Sequence, residues 1–207
     1  MDFGRSVEAL IPDAQGRVLG TLSRTTAELT LTTLADLSGV SLAHVARIVP
    51  RLVDLGVVER RDVPPAALVR LTRDNLAARW VVALADLRQT LQDELRASVQ
   101  TIEPVPANVT LFGSFARGDD DAASDIDVVV VRPEAIDEED PEWSDSIARW
   151  ESQVRRVSGN PLNRVEVAED EVPRLVRSRR PLWGAILREG ITLQGRPLAE
   201  IGAAARA

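Results

Sequence analysis

Residues 126 to 131, Ile126-Asp127-Val128-Val129-Val130-Val131, form an apolar run broken by a single acid. A short run rich in β-branched residues reads as a strand, and one that is apolar on both faces needs cover on both, which places it at the centre of a sheet. Alternate residues of a strand share a face, so Asp125 and Asp127 project two carboxylates from the same side, about 7 Å apart. Upstream, Val109-Thr110-Leu111-Phe112 reads as another strand, followed by Gly113-Ser114, with ten residues between Ser114 and Asp125. Downstream, residues 133–145 hold seven acids and no base, the pattern of a solvated loop. A helix from about Trp143 to Val157, a turn at Gly159-Asn160-Pro161, a strand through Val165-Glu166-Val167, helices near 170–188 and an extended segment over 190–195 complete this half of the chain.

Composition narrows the chemistry. The 207 residues include no cysteine, one histidine, His44, and no tyrosine. Disulfides, thiolate nucleophiles, Cys-based zinc sites, a Ser-His-Asp triad and a multi-His metal site are therefore excluded within one chain. All 25 basic residues are arginine, which removes Schiff-base chemistry and the P-loop lysine. Carboxylates, hydroxyls, arginines and backbone groups remain. The net charge of −7 excludes a general polyanion binder, yet residues 43–73 carry six Arg against three acids. No apolar run approaches the roughly 18 residues of a membrane helix, and no secretory signal is evident, so a cytoplasmic protein without membrane contact is expected.

The first 75 residues have a different pattern. Val18, Leu19 and Leu22 mark one amphipathic helix, and Leu31, Leu34, Ala35 and Leu37 a second that ends at Gly39. Ser41 is a good N-cap for a third, with Val45, Ile48, Leu52 and Leu55 facing inward and Gly56 as the stop. Two short strands follow, around Pro64-Pro65. Pro50 inside the third helix removes a backbone hydrogen bond, which requires a kink or an early end. From Leu76, apolar residues recur through Trp80, Leu84, Leu87, Leu91, Leu95, Val99 and Ile102, which predicts a single connecting helix of about 27 residues. Glu103-Pro104-Val105-Pro106 ends it. The expected organisation is residues 1–75, a connecting helix over 76–103, and a second domain over 104–207. A stripe this long must be buried, either against the chain's own second domain or by pairing with the same helix of a second copy, and the second option, a homodimer, is the favoured one.

Two resemblances follow from these residues. Helix, helix, short turn, helix and hairpin resemble a winged helix-turn-helix domain of the bacterial regulator type, which implies duplex DNA as a partner. His44, Arg47 and Arg51 on the third helix, with Arg60 and Arg61 on the wing, are then the expected DNA contacts. The apolar strand, Gly113-Ser114, ten residues and Asp125-Ile126-Asp127 are similar to the signature of the nucleotidyltransferase superfamily that includes DNA polymerase beta, above all its minimal bacterial branch. The implied fold is α+β, with a small mixed β-sheet in the nucleotidyltransferase domain. The implied activity is transfer of a nucleoside monophosphate from an NTP, ATP in the first instance, to an acceptor hydroxyl.

By the same resemblance Asp125 and Asp127 hold Mg²⁺, with two ions expected, and Glu166 on a later strand supplies a third carboxylate. Gly113, Ser114 and Arg117 bind the nucleotide. The branch also implies an antitoxin role with a toxin or other protein as acceptor, while tRNA ends and small molecules are acceptors elsewhere in the superfamily. The competing reading is a non-enzymatic DNA-binding regulator whose second domain senses a nucleotide.

Overall fold

The computed structural model describes residues 1–178 and 180–204. The chain divides into two compact units, residues 2–88 and residues 89–207 together with Met1.

In the first unit, α1 (Ser6–Leu10) and α2 (Asp13–Ser23) precede β1 (Leu29–Thr30), α3 (Leu31–Ser38), α4 (Leu42–Asp54), β2 (Val58–Val63), β3 (Ala66–Leu71) and α5 (Leu76–Ala85). Thr30 caps α3 by accepting from the Thr33 amide, and Ser41 caps α4 by accepting from the His44 amide. Between them Gly39 adopts a left-handed φ of 61°, which lets α3 end in the tight turn that starts α4. The strands form an antiparallel sheet in the order β1-β3-β2, with β2 and β3 as the wing hairpin. Val18, Leu19, Leu22, Leu34, Val45, Val49 and Leu52 form one core with Val58, Val69, Ala78 and Val81.

Two expectations about faces fail here. Leu37 and Leu55 are 63% and 67% exposed, and Val49 takes the buried place between Val45 and Leu52. The reason is angular: 45, 49 and 52 keep one 3.6-residue face, whereas Leu55 falls beyond the end of α4 as its C-cap. Pro50 lies inside α4 on its exposed side, so the chain accommodates it without ending the helix.

The stripe from Leu76 to Ile102 is carried by two helices, α5 and α6 (Leu87–Ser98), followed by a single 3-10 turn. Asp86 interrupts it, with φ −93° and ψ 7°. The interruption comes where the stripe changes cores. Ala78 and Val81 are buried in the first unit, while Leu91, Leu95, Val99 and Ile102 are buried in the second.

The second unit holds β4 (Asn108–Phe112), α7 (Gly113–Arg117), β5 (Ile126–Arg132), α8 (Pro141–Ser158), β6 (Leu162–Ala168), α9 (Val172–Val176), α10 (Pro181–Glu189), β7 (Ile191–Gly195) and α11 (Leu198–Ala204). Its mixed sheet has the order β6-β5-β4-β7, with β5 and β6 parallel and the other pairs antiparallel. Val128 to Val131 of β5 are fully buried, as a strand covered on both faces requires. On one face Val129 and Val131 pack with Phe112, Val167, Leu175, Trp183 and Ile186. The opposite face meets α8, whose Trp143 and Glu151 hydrogen bond to Glu166 and Arg164 of β6.

Candidate active site

Asp125 immediately precedes β5 and Asp127 is its second residue, so the pair stands where the strand emerges from the sheet. Asp125 is exposed and Asp127 half-buried. Phe112 pairs with Asp127 across β4 and β5, and the chain then turns through Gly113 and Ser114 into α7. Gly113 is required twice over. Its φ of +72° is left-handed, and a Cβ added there would run into Oδ2 of Asp127. The glycine therefore brings the Gly113-Ser114 backbone against the carboxylate.

Two more groups define the electrostatics. Asn163, opposite Asp127 in the β5–β6 register, donates from Nδ2 to Oδ1 of Asp127 at 2.8 Å. Arg117 at the end of α7 donates from Nε to Asp119 at 3.2 Å and from Nη1 to Glu189 at 3.3 Å. Burial pushes the Asp127 carboxyl above the ordinary aspartate range, and the Asp125 charge adds to this, while the Asn163 amide and Arg117 oppose it. Two neighbouring carboxylates, one of them raised by burial and by the other's charge, form a donor set suited to a divalent cation with phosphate and water as its remaining ligands.

In the first unit, His44, Arg47 and Arg51 are all exposed on α4. Among the described residues neither Arg47 nor Arg51 has an ion-pair partner. The wing differs. Arg60 pairs with Asp62 at 2.9 Å, and Arg61 holds Glu28 through both its Nε and Nη2. Nearby, Arg70 pairs with Glu59 at 2.8 Å. The wing arginines thus carry their own counter-charges.

Residues 92–178 match the family model of the nucleotidyltransferase domain, and residues 16–62 match that of the IclR helix-turn-helix domain. The second unit carries a nucleotidyltransferase domain. Two solved structures also resemble the chain, each over 55% of its length and 82% of their own. One is a toxin-antitoxin with AMP-PNP, at 16% identity, 55% and 82% coverage and a TM-score of 0.38. The other is a mutant of the toxin-antitoxin MntA-HpeT, at 13% identity and a TM-score of 0.39. Among curated proteins no relative matches.

Within the nucleotidyltransferase domain, Glu166 does not join the aspartates. Its partner in the parallel register is Val130, on the face opposite Asp127. There it accepts from Nε of Arg132 at 3.1 Å and from Nε1 of Trp143 at 2.8 Å, and it also pairs with Arg164. The expected third carboxylate is instead a structural anchor between β5, β6 and α8. The residue that does stand beside Asp127, Asn163, was not singled out in the sequence, and neither was Glu189. Asn163 lies three residues before Glu166 on the same strand, and an odd offset moves a side chain to the other face. No local signal marks Glu189, because its tie to Arg117 spans 72 residues.

Proposed function

We propose that the protein transfers a nucleoside monophosphate from an NTP, with ATP as the first candidate, to an acceptor hydroxyl, releasing pyrophosphate. The observation that carries this reading is Asp125 immediately before β5 and Asp127 as its second residue, near enough that the Asp125 charge acts on Asp127, with the Gly113 backbone packed against Asp127. Asp125 and Asp127 are the residues that would hold Mg²⁺, which when bound neutralises charge on the nucleotide phosphates. The Ser114 hydroxyl and the backbone N–H groups beside it bind phosphate oxygens. Arg117, steered by Asp119 and Glu189, meets the negative charge that develops on the departing pyrophosphate. The acceptor oxygen bonds to the α-phosphorus as the bond to pyrophosphate breaks, and its proton passes to solvent.

The helix-turn-helix unit provides a second role, contact with duplex DNA through His44, Arg47 and Arg51, with Arg60 and Arg61 contributing only after exchanging their acidic partners for phosphates. Such a protein works in the cytoplasm, and no helix among the described residues is long and apolar enough to cross a membrane. A homodimer suits DNA half-sites related by two-fold symmetry. Leu76 and Trp80, one turn apart on α5 and 68% and 69% exposed, support self-association. In the antitoxin reading the acceptor is a toxin protein.

Incubating the protein with α-labelled ATP, Mg²⁺ and a cell extract tests the transfer. Label is expected on a discrete acceptor. A second reading, a DNA-binding regulator that senses a nucleotide without turnover, is favoured by the amide of Asn163 where a third acid is absent. It predicts no label on any acceptor and a DNA affinity that changes with ATP.

A further inference from the structure

Asn163 shares Asp127's side of the sheet, and among the described residues its side chain hydrogen bonds to that carboxylate alone. It lies on β6, at the edge of the sheet, opposite Asp127, and its Nδ2 donates to Oδ1 of that carboxylate at 2.8 Å. The other oxygen, Oδ2, lies against Gly113, a position that tolerates no Cβ. One carboxylate oxygen is thus held by a side chain of the neighbouring strand, while the other lies close to the turn at Gly113. An amide donor brings no charge, and the nearest acid along β6, Glu166, faces the other side of the sheet in a lock with Arg132, Arg164 and Trp143. Among the described residues no group of three or more His, Cys, Asp or Glu is arranged to hold a metal.

We propose that Asn163 is a positioning residue that orients Asp127 toward a divalent cation and limits this side of the sheet to two carboxylates, so that the protein alone holds one cation. The identity of the cation's task rests on the transferase reading, whereas the role of Asn163 is read from cation binding without nucleotide. A carboxylate held in one orientation before the ion arrives has less freedom to lose on binding, and hydrogen-bond partners of this kind sustain about 10–100-fold of metal affinity. An aspartate at the same place would add a charge and a ligand at the spacing of adjacent strands, about 4.8 Å.

The test is titration of the full chain with Mn²⁺ alone, with the free ion counted by electron paramagnetic resonance. The relevant ion is the one lost in Asp127→Asn. Wild type is expected to take up one such ion. Asn163→Ala, at an exposed position on an edge strand, should melt as wild type does and bind that ion on the order of tenfold more weakly. Asn163→Asp should bind it more tightly than wild type or admit a second ion, which a purely structural role for Asn163 would not produce. Binding of Mn²⁺ by Asn163→Ala within twofold of wild type, or two such ions in wild type, overturns the proposal and leaves the transferase reading standing. Failure of wild type to take up Mn²⁺ also overturns the proposal, while the transferase reading, in which nucleotide phosphates complete the ion's ligands, is decided by label transfer from α-labelled ATP.

Discussion

Asp127 is charged in a place that does not favour charge. Burial and Asp125 raise its folded proton affinity above that of the unfolded chain. A carboxyl raised on folding contributes stability that is present while it is protonated and lost as pH rises through its folded value. Asp127→Asn removes the charge and can still accept from Asn163 through its own amide oxygen. The variant should therefore melt above wild type at neutral pH, with the difference vanishing in acid. Melting below wild type at neutral pH would contradict this account of the carboxylate. Glu166 has the opposite character. Its oxygens serve Arg132, Arg164 and Trp143, so Glu166→Gln should cost about 2 kcal/mol of stability, as loss of charge-assisted hydrogen bonds does. Nucleotidyl transfer should stay within a few-fold, and loss of transfer in a normally folded variant would return Glu166 to the site. The motif around Gly113, Ser114, Asp125 and Asp127 was legible because its geometry is local, a turn and a period of two. Glu166 was misplaced because its face depends on the register between β5 and β6, which residue spacing does not encode.

At the scale of elements, α4 and the wing differ in available charge although both are rich in arginine. Arg47 and Arg51 stand free of acids among the described residues, whereas Arg60 and Arg61 are paired. Replacing Arg47 and Arg51 together by Ala should weaken duplex DNA binding more than replacing Arg60 and Arg61. It should also flatten the dependence of log affinity on log salt by about 1.8, for two lost phosphate contacts. Equal effects measured by fluorescence anisotropy across a salt series would contradict the distinction. Of the two helices of the turn, α4 was legible from its Ser41 cap, and the ends of both from Gly39 and Gly56. The acidic partners of the wing were not, since Glu28 reaches Arg61 across 33 residues. The apolar stripe from Leu76 was read as one helix because periodicity records that a face is buried and not which core buries it. Asp86 separates the two halves.

For the whole molecule, that division changes where a second copy can attach. Leu91 is buried in the second unit, only 4% exposed, so changing it to Glu would damage a core and not test association. Trp80→Glu, on the exposed side of α5, is the suitable variant. Light scattering should show a dimer for wild type and a monomer for Trp80→Glu, with the melting temperature unchanged. A wild-type monomer at tens of micromolar would remove self-pairing through α5. The central claim is that Asp125 and Asp127 serve nucleotidyl transfer. It is tested most directly by the rate at which wild type and Asp127→Asn move label from α-labelled ATP to the acceptor under identical conditions. The account predicts a loss on the order of a thousandfold in a fully folded variant. Transfer by Asp127→Asn within a few-fold of wild type would contradict it.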